Sequence, residues 1–183
     1  MILGILDPLV FWGGLYKLLA KVLANRLKRV LSKVVAPTQN AFVMGRQILD
    51  ASLIANKVID SWQKRKEKGL ICKLDIEKAY NSINWQFLLK ALQKMGFGSK
   101  WLGWMWSCLS SAKFLVLVNG VLAGFFPSSK GLCQGDPLSP YLFVLGMEVL
   151  DALIRRVVAR GYLSGCSIRG GRRQSKNFSS FLC

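Results

Sequence analysis

From Leu15 to Val35 apolar side chains return at Leu15, Leu18, Leu19, Val22, Leu23, Leu27, Val30, Leu31 and Val34, the spacing of one helical face. The opposite face carries Lys17, Lys21, Lys28 and Ser32, with Arg26, Arg29 and Lys33 on its flank, and Pro37 bars the helix from continuing. A basic amphipathic helix of this kind can face water, phosphate or a membrane surface. A second helix is predicted from about residue 50 to 66, ending in the charged run KRKEKG. Leu70-Ile71-Cys72-Lys73-Leu74 then reads as a short buried strand bounded by Gly69, with Asp75 where the strand runs out. Helical patterns follow at 85–95, stopping at Gly96, and at 99–108. The latter is rich in tryptophan, and Trp101, Trp104 and Trp106 are expected in a core or interface rather than as base-stacking platforms. Two apolar runs, 114–118 and 121–126, flank Asn119-Gly120 and predict a β-hairpin. Residues 138–159 form a long helical pattern with Pro137 near its first turn, and GGRRQSK (170–176) reads as a flexible basic loop. No internal repeat or linker marks a second independent domain.

Charge changes this picture most. The 183 residues carry a formal net charge of +17 while 52% of them are hydrophobic. That is too apolar for a disordered basic tail, and it points to a polyanionic partner, nucleic acid or an anionic membrane. Acids are absent between Asp7 and Asp50 and again between Glu77 and Asp136, and after Asp151 every charge is basic. The absence of histidine excludes Ser-His-Asp and Cys-His chemistry and His-containing zinc sites. Five scattered cysteines without a CxxC pair argue against a disulfide framework or zinc ribbon, and for a reducing, intracellular setting in nucleus or cytoplasm. The apolar N-terminus lacks a basic n-region and is broken by Asp7 and Pro8, so it is not read as a signal peptide. The stretch 101–126 is interrupted by Lys113 and Asn119-Gly120, which makes a spanning helix improbable and leaves no membrane partner expected.

Two segments carry candidate chemistry. In LDIEKAYNSINW (74–85), Asp75 at the rim of a sheet can hold a hard cation such as Mg²⁺, or simply cap a turn or helix. In GLCQGDPLSPYLF (131–143), Gly135 lets backbone approach a base or sugar closely, and Gln134 offers both donor and acceptor. The helix start beyond it favours phosphate, the bland alternative being a Gly-Asp-Pro turn that caps the helix.

Together these segments resemble the two central motifs of a reverse-transcriptase palm, of the non-LTR (LINE-type) retrotransposon kind common in plants. The D-x-x-x-A-[YF] pattern matches Asp75, Ala79 and Tyr80, and Q-G-x-x-x-S-P matches Gln134 to Pro140. The resemblance implies that Asp75 is catalytic and ligates Mg²⁺. It also implies that the Tyr80 ring crowds the sugar C2′, a steric clash against ribonucleotides; taken alone, Tyr80 reads first as a packed core residue. Gln134, Gly135 and Ser139 would lie along template and incoming nucleotide. QNAFVMGRQILDA (39–51) resembles the family's Q-x-x-F-x-x-G-R segment of the fingers, where Arg46 would face nucleic-acid backbone or triphosphate, or stand on the surface. Along 15–28 the resemblance makes Lys17 and Arg26, with Lys21 and Lys28, nucleic-acid-facing. The fold implied is α+β: fingers plus an incomplete right-hand palm, mostly helical with a small antiparallel sheet. Residues 1–69 would be a fingers-like helical region, and 70–183 the palm with a fingers-type insertion at about 96–126. RNA template, DNA primer and dNTP are the implied partners; the oligomeric state is unspecified.

The chain departs from the family at charged positions. Asp7-Pro8-Leu9-Val10 stands for Arg-Pro-[IL]-Ser, Asn81 for the Asp after Ala-Tyr, and Cys133 for the Arg before Gln-Gly. FSSFLC (178–183) resembles the strand leading into [FY]-A-D-D, with Cys183 at the aromatic position, and the aspartate pair is not among the 183 residues. In-line nucleotidyl transfer needs two divalent ions about 3.5–4 Å apart, so a chain with Asp75 alone is expected not to polymerise. The alternatives to a decayed or truncated polymerase are a non-catalytic basic nucleic-acid-binding remnant and an anionic-membrane-associated helical protein.

Overall fold

The computed structural model describes residues 8–111, 113–164, 166–170 and 174–178. Among the described residues five α-helices dominate: α1 Pro8–Val34, α2 Ile48–Arg65, α3 Trp85–Lys94, α4 Ser99–Ser110 and α5 Ser139–Ala159. Two antiparallel hairpins complete the fold, β1 Lys113–Val118 with β2 Val121–Pro127, and β3 Cys166–Gly170 with β4 Gln174–Phe178. The chain packs as two units that interleave along the sequence. The first takes residues up to Val30 and Lys78–Gly146, the second Leu31–Glu77 and residues from Met147 onward.

Local chemistry sets the element ends. Helix α3 starts where the Asn84 side chain accepts the Phe87 N–H at 2.9 Å. It ends in a Schellman motif: Gly96 takes a φ of +91°, its N–H reaches the Gln93 carbonyl, and the Phe97 N–H reaches that of Leu92. Asn119 and Gly120 both take positive φ, +51° and +79°, the left-handed turn that closes the β1–β2 hairpin in line with the sequence pattern. The core of the first unit joins Leu88 and Leu92 of α3, Met105 and Leu109 of α4, Leu142 and Leu145 of α5, and Leu138 just before it. Gly146 brings α5 close to α3: a Cβ there would meet a Leu88 methyl at 3.6 Å.

Three expectations are corrected. The buried face of α1 is Ala20, Ala24, Leu27 and Leu31, whereas Leu15, Leu18, Leu19 and Val22 are exposed. Toward the start of the helix alanines take the buried positions and the larger apolar residues are left outside, whereas Leu27 and Leu31 of the predicted face are buried. No strand forms over 70–74: the chain there is irregular, with Leu70 88% and Leu74 66% exposed. A strand needs a partner for its ladder, and among the described strands none pairs with this segment. The basic loop expected at 170–176 contains the start of β4, whose register pairs Gly170 with Gln174. Beyond Phe178, FSSFLC lies outside the described residues. Among the described residues no helix is long and apolar enough to cross a membrane.

Candidate nucleotide and template site

The first unit builds one loop cluster from both central motifs. After the turn 77–79, a single 3₁₀ turn runs from Tyr80 to Ser82. Its backbone meets the segment before Gln134: the Leu132 N–H donates to the Tyr80 carbonyl at 2.9 Å, and the Gly131 N–H to that of Ile83 at 2.7 Å. The Trp85 indole N–H donates to the Gly131 carbonyl at 2.6 Å. Gly131 has a φ of +86°, and a Cβ there would lie 3.1 Å from the Asn81 carbonyl, so only glycine allows the two segments this close. Tyr80 is therefore fixed at the start of the same cluster that Gln134 and Gly135 close. Its ring stacks on Phe143 of α5, centroids 4.9 Å apart and planes 10° from parallel. Burial pushes the phenol above its ordinary pKa, so it stays neutral.

Gln134 and Gly135 are exposed, and Gly135 has a φ of +83°. Asp136 forms the turn beneath them. One carboxylate oxygen accepts the Leu138 N–H at 2.7 Å and the other the Tyr16 hydroxyl of α1 at 2.6 Å, so the turn is tied to the basic helix. Burial, then the hydrogen bond to Asp136, raises the Tyr16 pKa far above normal, and the phenol remains a donor. Burial, then the Asp136 charge, likewise raises the thiols of Cys108 and Cys133. Ser139, expected against nucleic acid, is buried at the first position of α5. Lys17, Lys21, Arg26 and Lys28 are all exposed on α1.

The second unit holds the other expected residues. Asp75 is exposed on the irregular segment. Arg46 is half-buried, and its guanidinium Nη1 donates to the carbonyls of Ala36 at 2.6 Å and Gln39 at 2.5 Å. The Ala36 N–H in turn donates to Glu148 at 2.9 Å. Glu148 and Asp151, one turn apart on α5, are 5% and 0% exposed, and Arg155 pairs with Asp151 at 2.7 Å. Burial raises the Glu148 pKa, the Ala36 N–H opposes it, Asp151 adds to it, and Arg155 and Arg46 oppose it.

A divalent-metal centre is tested by its donors. Among the described residues no three carboxylate or thiol groups converge, so the residues present do not fit a two-ion site. Sequence reading missed Tyr16, Trp85, Gly131 and Phe143 as organisers of the loop cluster. The one available signal was Asp136, a lone acid in a long acid-free tract.

By the family its sequence matches, the chain is of the nucleic-acid polymerase class. More particularly, it belongs to the reverse transcriptase (RNA-dependent DNA polymerase) family, whose pattern matches residues 9–168. It is 33% identical over 141 residues to the "Transposon TX1 uncharacterized 149 kDa protein" of Xenopus laevis, which covers 77% of this chain and 11% of that protein. It is 28% identical over 148 residues to a "Retrovirus-related Pol polyprotein from type-1 retrotransposable element R2" of Popillia japonica, covering 80% of this chain and 20% of the other. A third relative, an uncharacterized mitochondrial protein of Arabidopsis thaliana, is 50% identical over 54 residues, 30% of this chain and 44% of its own. The chain thus spans a fifth or less of the length of the first two. It is a reverse transcriptase domain of the non-LTR retrotransposon kind, in a family that generally works with divalent metal ions.

Proposed function

We propose that this chain forms the nucleotide- and template-facing part of a LINE-type reverse transcriptase, inside the cell, without supplying primer extension by itself. In this reading Gln134 and Gly135 lie against template and incoming dNTP, Tyr80 limits the sugar, and the lysines of α1 follow the phosphates. Fingers and palm are the natural names for its helical and hairpin-bearing parts. The observation that carries the reading is the backbone pairing of Tyr80–Ile83 with Gly131–Leu132, which joins the two motifs in one loop cluster. Such a cluster can position a nucleotide, and positioning is a large part of what a polymerase does to lower its barrier. Mg²⁺ is the ion expected from the family, and Asp75 is the one family-matched carboxylate for it here.

The test pairs binding with catalysis. The purified chain is expected to bind an RNA–DNA primer-template with log affinity falling linearly in log salt, since each phosphate neutralised contributes a slope of about −0.7 to −0.9. Gln134→Ala is expected to weaken dNTP-dependent stabilisation of that complex. Primer extension in Mg²⁺ or Mn²⁺ should be absent. Salt-insensitive binding would overturn the nucleic-acid reading. Extension by the chain, lost on Asp75→Ala, would overturn its inactivity alone.

A further inference from the structure

We propose that the outer aromatic face of α4 is a stacking platform for single-stranded nucleic acid, separate from the Tyr80–Gln134 cluster and independent of its reading. Trp104 is 47% exposed although it stands on a well-packed helix. Its indole rests on Trp101, centroids 6.0 Å apart at 66°, and Trp101 in turn rests on Phe97, 6.2 Å apart at 28°. Phe97 is itself fixed by the hydrogen bond that closes the Schellman motif of α3. The outermost ring is thus backed by two others and loses little freedom on meeting a ligand. A tryptophan placed only for the core would turn inward, as Trp85 does.

Charge names the ligand. Lys100 lies four residues before Trp104, on the same helical face, and is exposed. On the solvent face of α3, Phe87, 46% exposed, shares helical spacing with exposed Lys90 and Lys94. No acid occurs between Glu77 and Asp136, and the Asp136 carboxylate is occupied by Tyr16 and the Leu138 N–H. Residues 78–135 therefore contribute cations and aromatic rings to this surface and no carboxylate to repel a polyanion. An anionic lipid or an acidic peptide would satisfy the lysines and leave Trp104 without a flat partner. A single strand supplies both phosphates and unstacked base faces.

The experiment compares binding of a dT 12-mer and an abasic 12-mer of equal charge to the 183-residue chain, at one salt concentration. Base stacking on one ring is worth roughly 5- to 150-fold in affinity, so the natural strand is expected to bind at least fivefold more tightly. Trp104→Ala should erase that preference while leaving the abasic strand unaffected. Trp104→Phe, which keeps a ring, should retain most of it. Lys100→Ala should weaken both strands alike. Tyr162→Ala, which removes an exposed ring of the second unit, should leave the preference intact. Equal binding of the two strands by the unmodified chain would overturn the proposal, as would a preference that survives in Trp104→Ala. Loss of the preference in Tyr162→Ala would place the bases at that ring and overturn it too.

Discussion

Replacing Arg46 separates two roles that the sequence leaves open, phosphate ligand and internal clamp. In the structure the Ala36 peptide is held at both ends: Glu148 accepts its N–H at 2.9 Å, and Arg46 donates to its carbonyl at 2.6 Å and to that of Gln39 at 2.5 Å. Arg46→Ala removes two charge-assisted hydrogen bonds and a cation that favours the buried Glu148 carboxylate. Hydrogen bonds to charged groups are worth about 1.5–3 kcal/mol each. The site is only part-buried, and water can reach the freed carbonyls, so the net loss is expected at about 2–4 kcal/mol. Urea unfolding at constant m-value reads this as a lowered midpoint. RNA affinity of the folded protein should change no more than on losing any one exposed lysine. A linked expectation concerns pH. Because the folded state raises the Glu148 pKa, its contribution is largest below the ordinary glutamate value of about 4.3 and falls as pH rises through the folded value. Glu148→Gln, which keeps an acceptor for Ala36, should therefore gain on the parent chain with rising pH. Arg46→Ala with an unchanged urea midpoint and a roughly tenfold loss of RNA affinity would refute the clamp and restore the phosphate role.

Tyr16→Phe deletes the 2.6 Å hydrogen bond to Asp136 and should cost about 1–2 kcal/mol in thermal unfolding, an unshifted melt arguing that the glycine turn holds without α1. Gly131→Ala forces a side chain into a φ of +86° with backbone 3.1 Å away, and should cost about 1–3 kcal/mol; Gly45→Ala, also at positive φ but with open space around it, should cost less. Leu70, Ile71, Leu74 and Ile76 of the second unit are exposed, as is the Leu15, Leu18, Leu19 and Val22 stripe of the first, and exposed apolar residues of this kind promote association. Sedimentation is expected to show concentration-dependent association, reduced by Leu70→Lys with Leu74→Lys, and a monodisperse parent chain would contradict this.

What the sequence made legible is what neighbours in the chain decide. The ends of α3, the Asn119-Gly120 turn and the start of α5 follow from caps, glycines and a proline within a few residues of each feature. The glycine turn before α5 belongs to the same class, because Asp136 folds it by bonding to the N–H only two positions on. The strand at 70–74 does not, since its apolar run supplies a reason to be buried but no ladder, and a ladder must come from residues remote in sequence. The same limit hid the organisers of the loop cluster: Tyr16 acts on Asp136 across 120 positions, and Trp85 on Gly131 across 46. It also hid the true face of the first half of α1, where pattern favoured leucines and packing chose Ala20 and Ala24, while the predicted Leu27 and Leu31 are buried. The consequence for function is an asymmetry. The glycine turn before α5 is secured by the Asp136–Leu138 bond, the Tyr16 hydroxyl and one backbone pairing, whereas Asp75 sits exposed on irregular chain. In the proposed function, nucleotide binding and metal chemistry are thus separable, because the contacts that build the glycine-turn cluster do not include Asp75.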